Sequence, residues 1–160
     1  MANLVDVNTI NPFLSSAVSV IQMTSQMTPA IGKPSIQETS FTDDSVLIML
    51  GITGQLEGQV IFEIKEESAK LLASKMMMGY EVTQLDDMSM SAISELGNMI
   101  MGNSATVFST QGTLIDITPP AVARGNIVIS RQYAVNLCIP LYKEDGSLLL
   151  NINIAIRNRQ

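Results

Sequence analysis

Hydrophobic and polar positions along this chain follow two periods, and each change of period marks an element. Between Asp87 and Thr110 the spacing is helical. At roughly 100° per residue, Ile93, Leu96, Ile100, Ser104 and Val107 share one side, and Ser91, Glu95, Asn98, Gly102 and Thr106 share the other. Upstream, Phe13, Leu14, Ala17, Val18 and Ile21 form the apolar side of another helix. Asn11-Pro12 is expected to open it as N-cap and first-turn proline, and Thr28-Pro29 to close it, because the residue before proline leaves the helical region. Lys65–Met78 reads as a third helix, with Ala69, Leu72 and Met76 inward and Gly79 as its stop.

Elsewhere the period shortens to that of strands. A short strand is expected near Ile36–Phe41, then Val46–Ile52 and Gln59–Ile64 around a glycine-bearing turn at Gly54–Gly58. Thr113–Ile117 and Ile127–Arg131 follow, with Thr118-Pro119-Pro120 and Arg124-Gly125-Asn126 between them. Val135–Leu141 and Ser147–Ile156 make the last hairpin, turned by Glu144-Asp145-Gly146. The alternation at Leu148, Leu150, Ile152, Ile154 and Ile156 predicts one buried and one wet face. Thr28-Pro29 and Thr118-Pro119 stand about 90 residues apart, each ahead of a hairpin and behind a long helix. The expectation is an α/β fold of the α+β type, with residues 1–160 as one pseudo-duplicated domain. Its half-repeats run from about 8–79 and 87–160, and two long helices pack on a mostly antiparallel sheet.

Composition narrows the chemistry. The 160 residues are 46% hydrophobic and 15% charged, which suits a packed core and not disorder. A net charge of −6 with scattered Lys and Arg argues against a nucleic-acid partner. Histidine is absent, so Ser-His-Asp and Cys-His nucleophiles and most transition-metal sites are excluded. Cys138, the single cysteine, reads as a buried apolar residue rather than a reactive thiol. Met1–Asp6 lacks the form of a signal peptide. The uncharged stretch after Asp6 is too often interrupted by polar residues to span a membrane, so a cytoplasmic protein is expected.

Several clusters invite chemistry and have plainer explanations. Met76-Met77-Met78 cannot share one helix face and reads as core and flank packing. Asp86-Asp87, directly before a helix, reads as capping and dipole compensation; Asp43-Asp44 reads as a turn. The stripe of the 87–110 helix is different. Glu95 is the only charged residue from Met88 to Thr110, whereas ordinary exposed helix faces carry both signs and few glycines. Such a face looks like a surface that something else covers.

Ser91-x-x-x-Glu95-x-x-Asn98, with Gly102 one turn on and Pro119-Pro120 about twenty residues later, resembles the CheC/CheX/FliY family of chemotaxis phosphatases. Helix order, hairpins, duplicated layout and length are closest to its CheX members. CheC-type members carry the acid–amide pair in both half-repeats. Here, alignment of the Thr-Pro pairs sets Asn8 opposite Asn98, but Val5 opposite Glu95 and Pro12 opposite Gly102. The first half thus lacks the acid, and the helix is not expected at that point.

The resemblance implies hydrolysis of the aspartyl phosphate of a CheY-type response regulator. It implies that Asn98 holds the attacking water and that Glu95 pairs with the regulator's phosphate-contacting lysine. Ser91, Met99 and Gly102 would border the partner. It further implies a homodimer, and an Mg²⁺ carried by the regulator with no cofactor or metal bound by this chain. A carboxamide donates and accepts hydrogen bonds at once, so it can orient water but cannot act as a base. Taken without the likeness, Glu95 and Asn98 are a solvated pair on an amphipathic helix. A non-catalytic module that captures the phosphorylated regulator or a flagellar switch component is the alternative function.

Overall fold

The computed structural model describes residues 6–42, 44–129 and 135–159. Val5, Asp43 and the end of the strand expected over 127–131 lie outside them. The first helix, α1 (Val7–Ser25), starts four residues before the expected Asn11. Asp6 is the true N-cap, its carboxylate accepting the Asn8 N–H at 3.0 Å. Pro12 therefore sits inside the helix, past the first turn, where it withholds one backbone hydrogen bond without ending the element. Asn8 is helical, contrary to the expectation for that stretch. The helix ends at Ser25, ahead of Thr28-Pro29, because Gln26 turns left-handed at φ 59° and donates back to the Gln22 carbonyl.

Two-residue strands follow: β1 (Ala30–Ile31), β2 (Ser35–Ile36) and β3 (Ser40–Phe41). The strand expected over 36–41 is thus split between two partners. Then come β4 (Ser45–Gly54), β5 (Leu56–Lys65), α2 (Glu66–Met76) and α3 (Asp87–Thr110). The second half continues with β6 (Ile115–Ile117), β7 (Ala121–Arg124), β8 (Ile127–Val128), β9 (Leu137–Tyr142) and β10 (Leu148–Asn158). In α2, Ala69 and Leu72 are buried as expected, but Met76 is only half-buried. Met78 and Gly79 both take positive φ, and the Gly79 N–H closes the helix on the Ser74 carbonyl at 2.8 Å.

The main sheet runs β1-β9-β10-β5-β4-β6, with β2 also on β9 and β7 also on β4. Every pair is antiparallel. At its centre Phe62 of β5 faces Ile152 of β10, and either way outward the order is inner strand, hairpin partner, short edge strand. Edge strand β7 was not foreseen. Its burial does not alternate, so only its register on β4 defines it.

Three helices cover one face of this sheet. Ile48, Leu50, Phe62, Ile152 and Ile154 meet Phe13, Ile21, Leu72, Ile93 and Ile100 in one continuous core. The odd-numbered neighbours Leu47 and Ile61 point the other way and pack with Phe41 beneath the small β3–β8 ribbon. The wet face expected of β10 is not observed either. Asn153 and Ala155 are buried, and Asn153 accepts from the Asn136 amide at 3.0 Å. At the other end of β10 a register shift between Leu148 and Leu150 puts Leu149 in the core and leaves Leu148 half-buried. Cys138 is also corrected: it is half-buried, not core. Burial, then the nearby Glu63 carboxylate, pushes its thiol up to about 11, so it is inert near neutral pH.

Candidate functional site on helix α3

A capping box starts α3 where its sequence signals one. The Ser89 N–H donates to the Asp86 carboxylate at 2.9 Å, and the Asp86 N–H donates to the Ser89 hydroxyl at 2.8 Å. The Ser89 N–H and then its hydroxyl hold the Asp86 carboxyl below its ordinary value. From this cap the helix runs 24 residues. Ile93, Leu96, Gly97, Ile100, Met101, Ser104 and Phe108 are buried, while Val107, expected among them, is half-buried.

Two contacts with α1 and one with the sheet fix its roll. The Asn103 amide donates to the Ser16 hydroxyl at 3.0 Å, and Phe108 meets Phe13 edge-on, with centroids 5.1 Å apart. At Gly97 the helix lies almost on β4. A Cβ there would stand 2.8 Å from Ile48 Cγ2 and 3.5 Å from Phe62 Cδ2. No side chain fits without something moving, which explains a glycine in a helix interior despite its cost of about 1 kcal/mol against alanine.

With the roll fixed, the opposite face is presented outward. Ser91, Glu95, Asn98 and Gly102 are all exposed, and Met99 flanks them half-buried against the core. Asn98 lies three residues after Glu95, about 4.5 Å further along the axis and on the same side. Among the described residues, neither the Glu95 carboxylate nor the Asn98 carboxamide has a hydrogen-bond or ion-pair partner. Around Gly102 nothing lies within 4 Å of where a Cβ would be. Also among the described residues, no three acidic or cysteine side chains converge on a metal-sized site.

The structure brings a further residue to this face. Met88 is 67% exposed and stands seven residues, or two turns, before Glu95 on the same side. That i, i+7 spacing is visible in the sequence, but exposure of a methionine at that position is not. The downstream Thr118-Pro119-Pro120 is anchored to β4 instead. The Thr118 hydroxyl accepts the Gly51 N–H at 2.7 Å, and the Thr118 N–H donates to the Gly51 carbonyl at 3.0 Å.

An exposed acid and amide on a rigidly held helix whose outer face is otherwise uncharged can grip a cation and orient a water, and the amide itself is no base. The family profile described as chemotaxis phosphatase CheX matches residues 46–141, a span that contains all of α3. The chain belongs to the CheX family. It is 35% identical over 150 residues to the CheY-P phosphatase CheX of Thermotoga maritima, covering 92% of this chain and 97% of that protein. The CheX-CheY-BeF3-Mg²⁺ complex from Borrelia burgdorferi contains a chain that is 32% identical with a TM-score of 0.80; the match covers 96% of this chain and 100% of that one. A CheC-like superfamily protein from a Shewanella species superposes with a TM-score of 0.85 over 96% of this chain and 100% of its own. At 24% identity, that match speaks to the fold alone. The expected α+β architecture, helices on a mostly antiparallel sheet, is the one these CheX and CheC-like structures share.

Proposed function

We infer that this chain hydrolyses the aspartyl phosphate of a CheY-type response regulator in chemotaxis signalling. The observation that carries the reading is the joint exposure of unpartnered Glu95 and Asn98 on α3, in a chain 35% identical to a CheY-P phosphatase. α3 docks at the regulator's phosphorylated site. The Asn98 carboxamide oxygen accepts a hydrogen bond from the water and fixes the water oxygen in line with phosphorus. The water oxygen–phosphorus bond forms, the phosphorus–carboxylate bond breaks, and the aspartate leaves with the bonding pair. The water's protons depart with inorganic phosphate. Because a carboxamide takes no proton, its contribution is positional, as for the water-positioning glutamine of GTPases.

Glu95 pairs with the regulator's phosphate-contacting lysine and sets the register of the approach, while Ser91, Met99 and Gly102 border the contact. Mg²⁺ belongs to the regulator. The working form is a cytoplasmic homodimer of a single domain spanning residues 1–160, built from half-repeats. An open sheet leaves strand edges that must be paired or covered, which supports self-association, and light scattering should give twice the 17.3 kDa chain mass. Phosphate release from a phosphorylated CheY-type regulator, with and without this chain, tests the activity. Equal rates would end the phosphatase reading.

A further inference from the structure

The stripe is too small to hold a regulator by itself. Ser91 to Gly102 spans about 17 Å of a helix about 10 Å wide, a footprint near 170 Å². Even weak protein contacts bury roughly 500 Å² per partner. The contact must continue off one end of the stripe, and the two ends differ. Beyond Gly102 the exposed positions include Asn103, Thr106, Ser109 and Thr110, with Leu114 the first exposed large apolar side chain. Toward the N-terminus the face runs directly into Met88, which forms one wall of an open cleft of about 620 Å³ between the end of α2 and the start of α3. Met77, Tyr80 and Val82 also line it, together with Thr83, Gln84 and the acids Glu81 and Asp86. Tyr80 is 70% exposed, and neighbouring Met78 is 98% exposed. This is a hollow with an apolar part and two carboxylates in its lining, continuous with the outer face of α3.

We propose that this cleft is the specificity pocket for the regulator, taking an apolar side chain that is followed or preceded by a basic one on the regulator's docking surface. The proposal rests on the phosphatase reading and names the second half of the same interface. Tyr80 and Met88 form the walls that grip the apolar anchor, since methionine adapts to its shape and aromatic residues dominate contact energy. The Glu81 and Asp86 carboxylates complement the basic neighbour and select against acidic surfaces. Asn98 holds the water at the phosphoryl group and Glu95 the lysine beside it, and the cleft decides which regulator presents them.

The test is titration of the intact chain with its beryllofluoride-activated CheY-type regulator, beside dephosphorylation measured across regulator concentration. Tyr80→Ala with Met88→Ala should raise Kd and KM about tenfold, a loss on the scale of an interface anchor. Tyr80→Phe should keep most of the affinity, and Glu81→Lys should weaken binding with a smaller salt dependence. Leu114→Ala, at the other end of the stripe, should leave Kd unchanged. Circular dichroism confirms folding of these surface variants. Kd within twofold of wild type for Tyr80→Ala/Met88→Ala would overturn the pocket while leaving a wild type that still accelerates hydrolysis a phosphatase. A rise for Leu114→Ala alone would place the second half of the interface at the wrong end. A wild type that neither binds nor accelerates would remove the phosphatase reading and the pocket with it.

Discussion

Replacing each of the two glycines of α3 by alanine separates what the core demands of this helix from what its outer face demands. In a helix interior either change gains about 1 kcal/mol of propensity. At Gly102 nothing lies within 4 Å of the new Cβ, so the gain is kept. A chain of 160 residues should then melt about 2–4 °C higher. At Gly97 the new Cβ falls 2.8 Å from Ile48 Cγ2. Ile48 is fully buried, and its branch at Cβ leaves it little freedom to turn aside. Overpacking of this kind costs about 1–3 kcal/mol, so Gly97→Ala should be neutral to about 2 kcal/mol destabilising. Propensity cancels between the two variants, and the gap of about 1–3 kcal/mol reports the helix–sheet contact alone. Urea denaturation followed by far-UV circular dichroism measures it. Equal shifts in the two transitions would refute the close approach at Gly97. If a partner's backbone approaches closely at Gly102, as proposed for this edge of the contact, Gly102→Ala should also be the slower enzyme despite its greater stability. Full activity on the phosphorylated regulator would remove that role.

Asp86→Asn should lower the melting temperature at neutral pH. The folded-state carboxyl titrates below its ordinary value of 3.8, so its stabilisation is present above that value and is lost as pH falls through the lower one. Melts of wild type and variant should converge under acid; a constant offset would contradict the cap. Cys138, with its thiol raised to about 11 from an ordinary 9.0, should alkylate with iodoacetamide at pH 8 about a hundredfold more slowly than an exposed cysteine. A rate near that of free cysteine would show an accessible thiolate. Glu95→Ala should weaken binding of the activated regulator and flatten its salt dependence, since an interfacial charge pair is lost. Unchanged affinity at low salt would exclude the lysine pairing.

The parts of this molecule legible in sequence are those where a local signal and a tertiary need agree. α3 begins and ends where it is expected because Asp86 and Ser89 make a capping box and an apolar stripe fills the core side. Its outer face stands out because it lacks the charges that solvent normally draws. The hairpins at β4–β5 and β9–β10 follow from alternation and turn residues. Where local signals compete, the expectation fails. Asn11-Pro12 looks like a helix start, but Asp6 caps earlier and the helix carries Pro12. Strand β7 has no pattern of its own, and only the β4 backbone defines it. The buried far side of β10 is met at Asn153 by Asn136, whose amide also donates to the Gln37 carbonyl, contacts between residues far apart in the chain that no local window contains. The cleft beside Met88 is hidden for the same reason, since it exists only where the loop after α2 folds against α3.

The most direct measurement is single-turnover dephosphorylation of a CheY-type regulator by wild type and by Asn98→Ala, with binding of the beryllofluoride-activated regulator measured in parallel. Loss of the water-positioning amide should cut the acceleration on the order of a hundredfold and leave Kd within about twofold. Turnover by Asn98→Ala close to that of wild type would contradict the assignment of Asn98 as the group that holds the water.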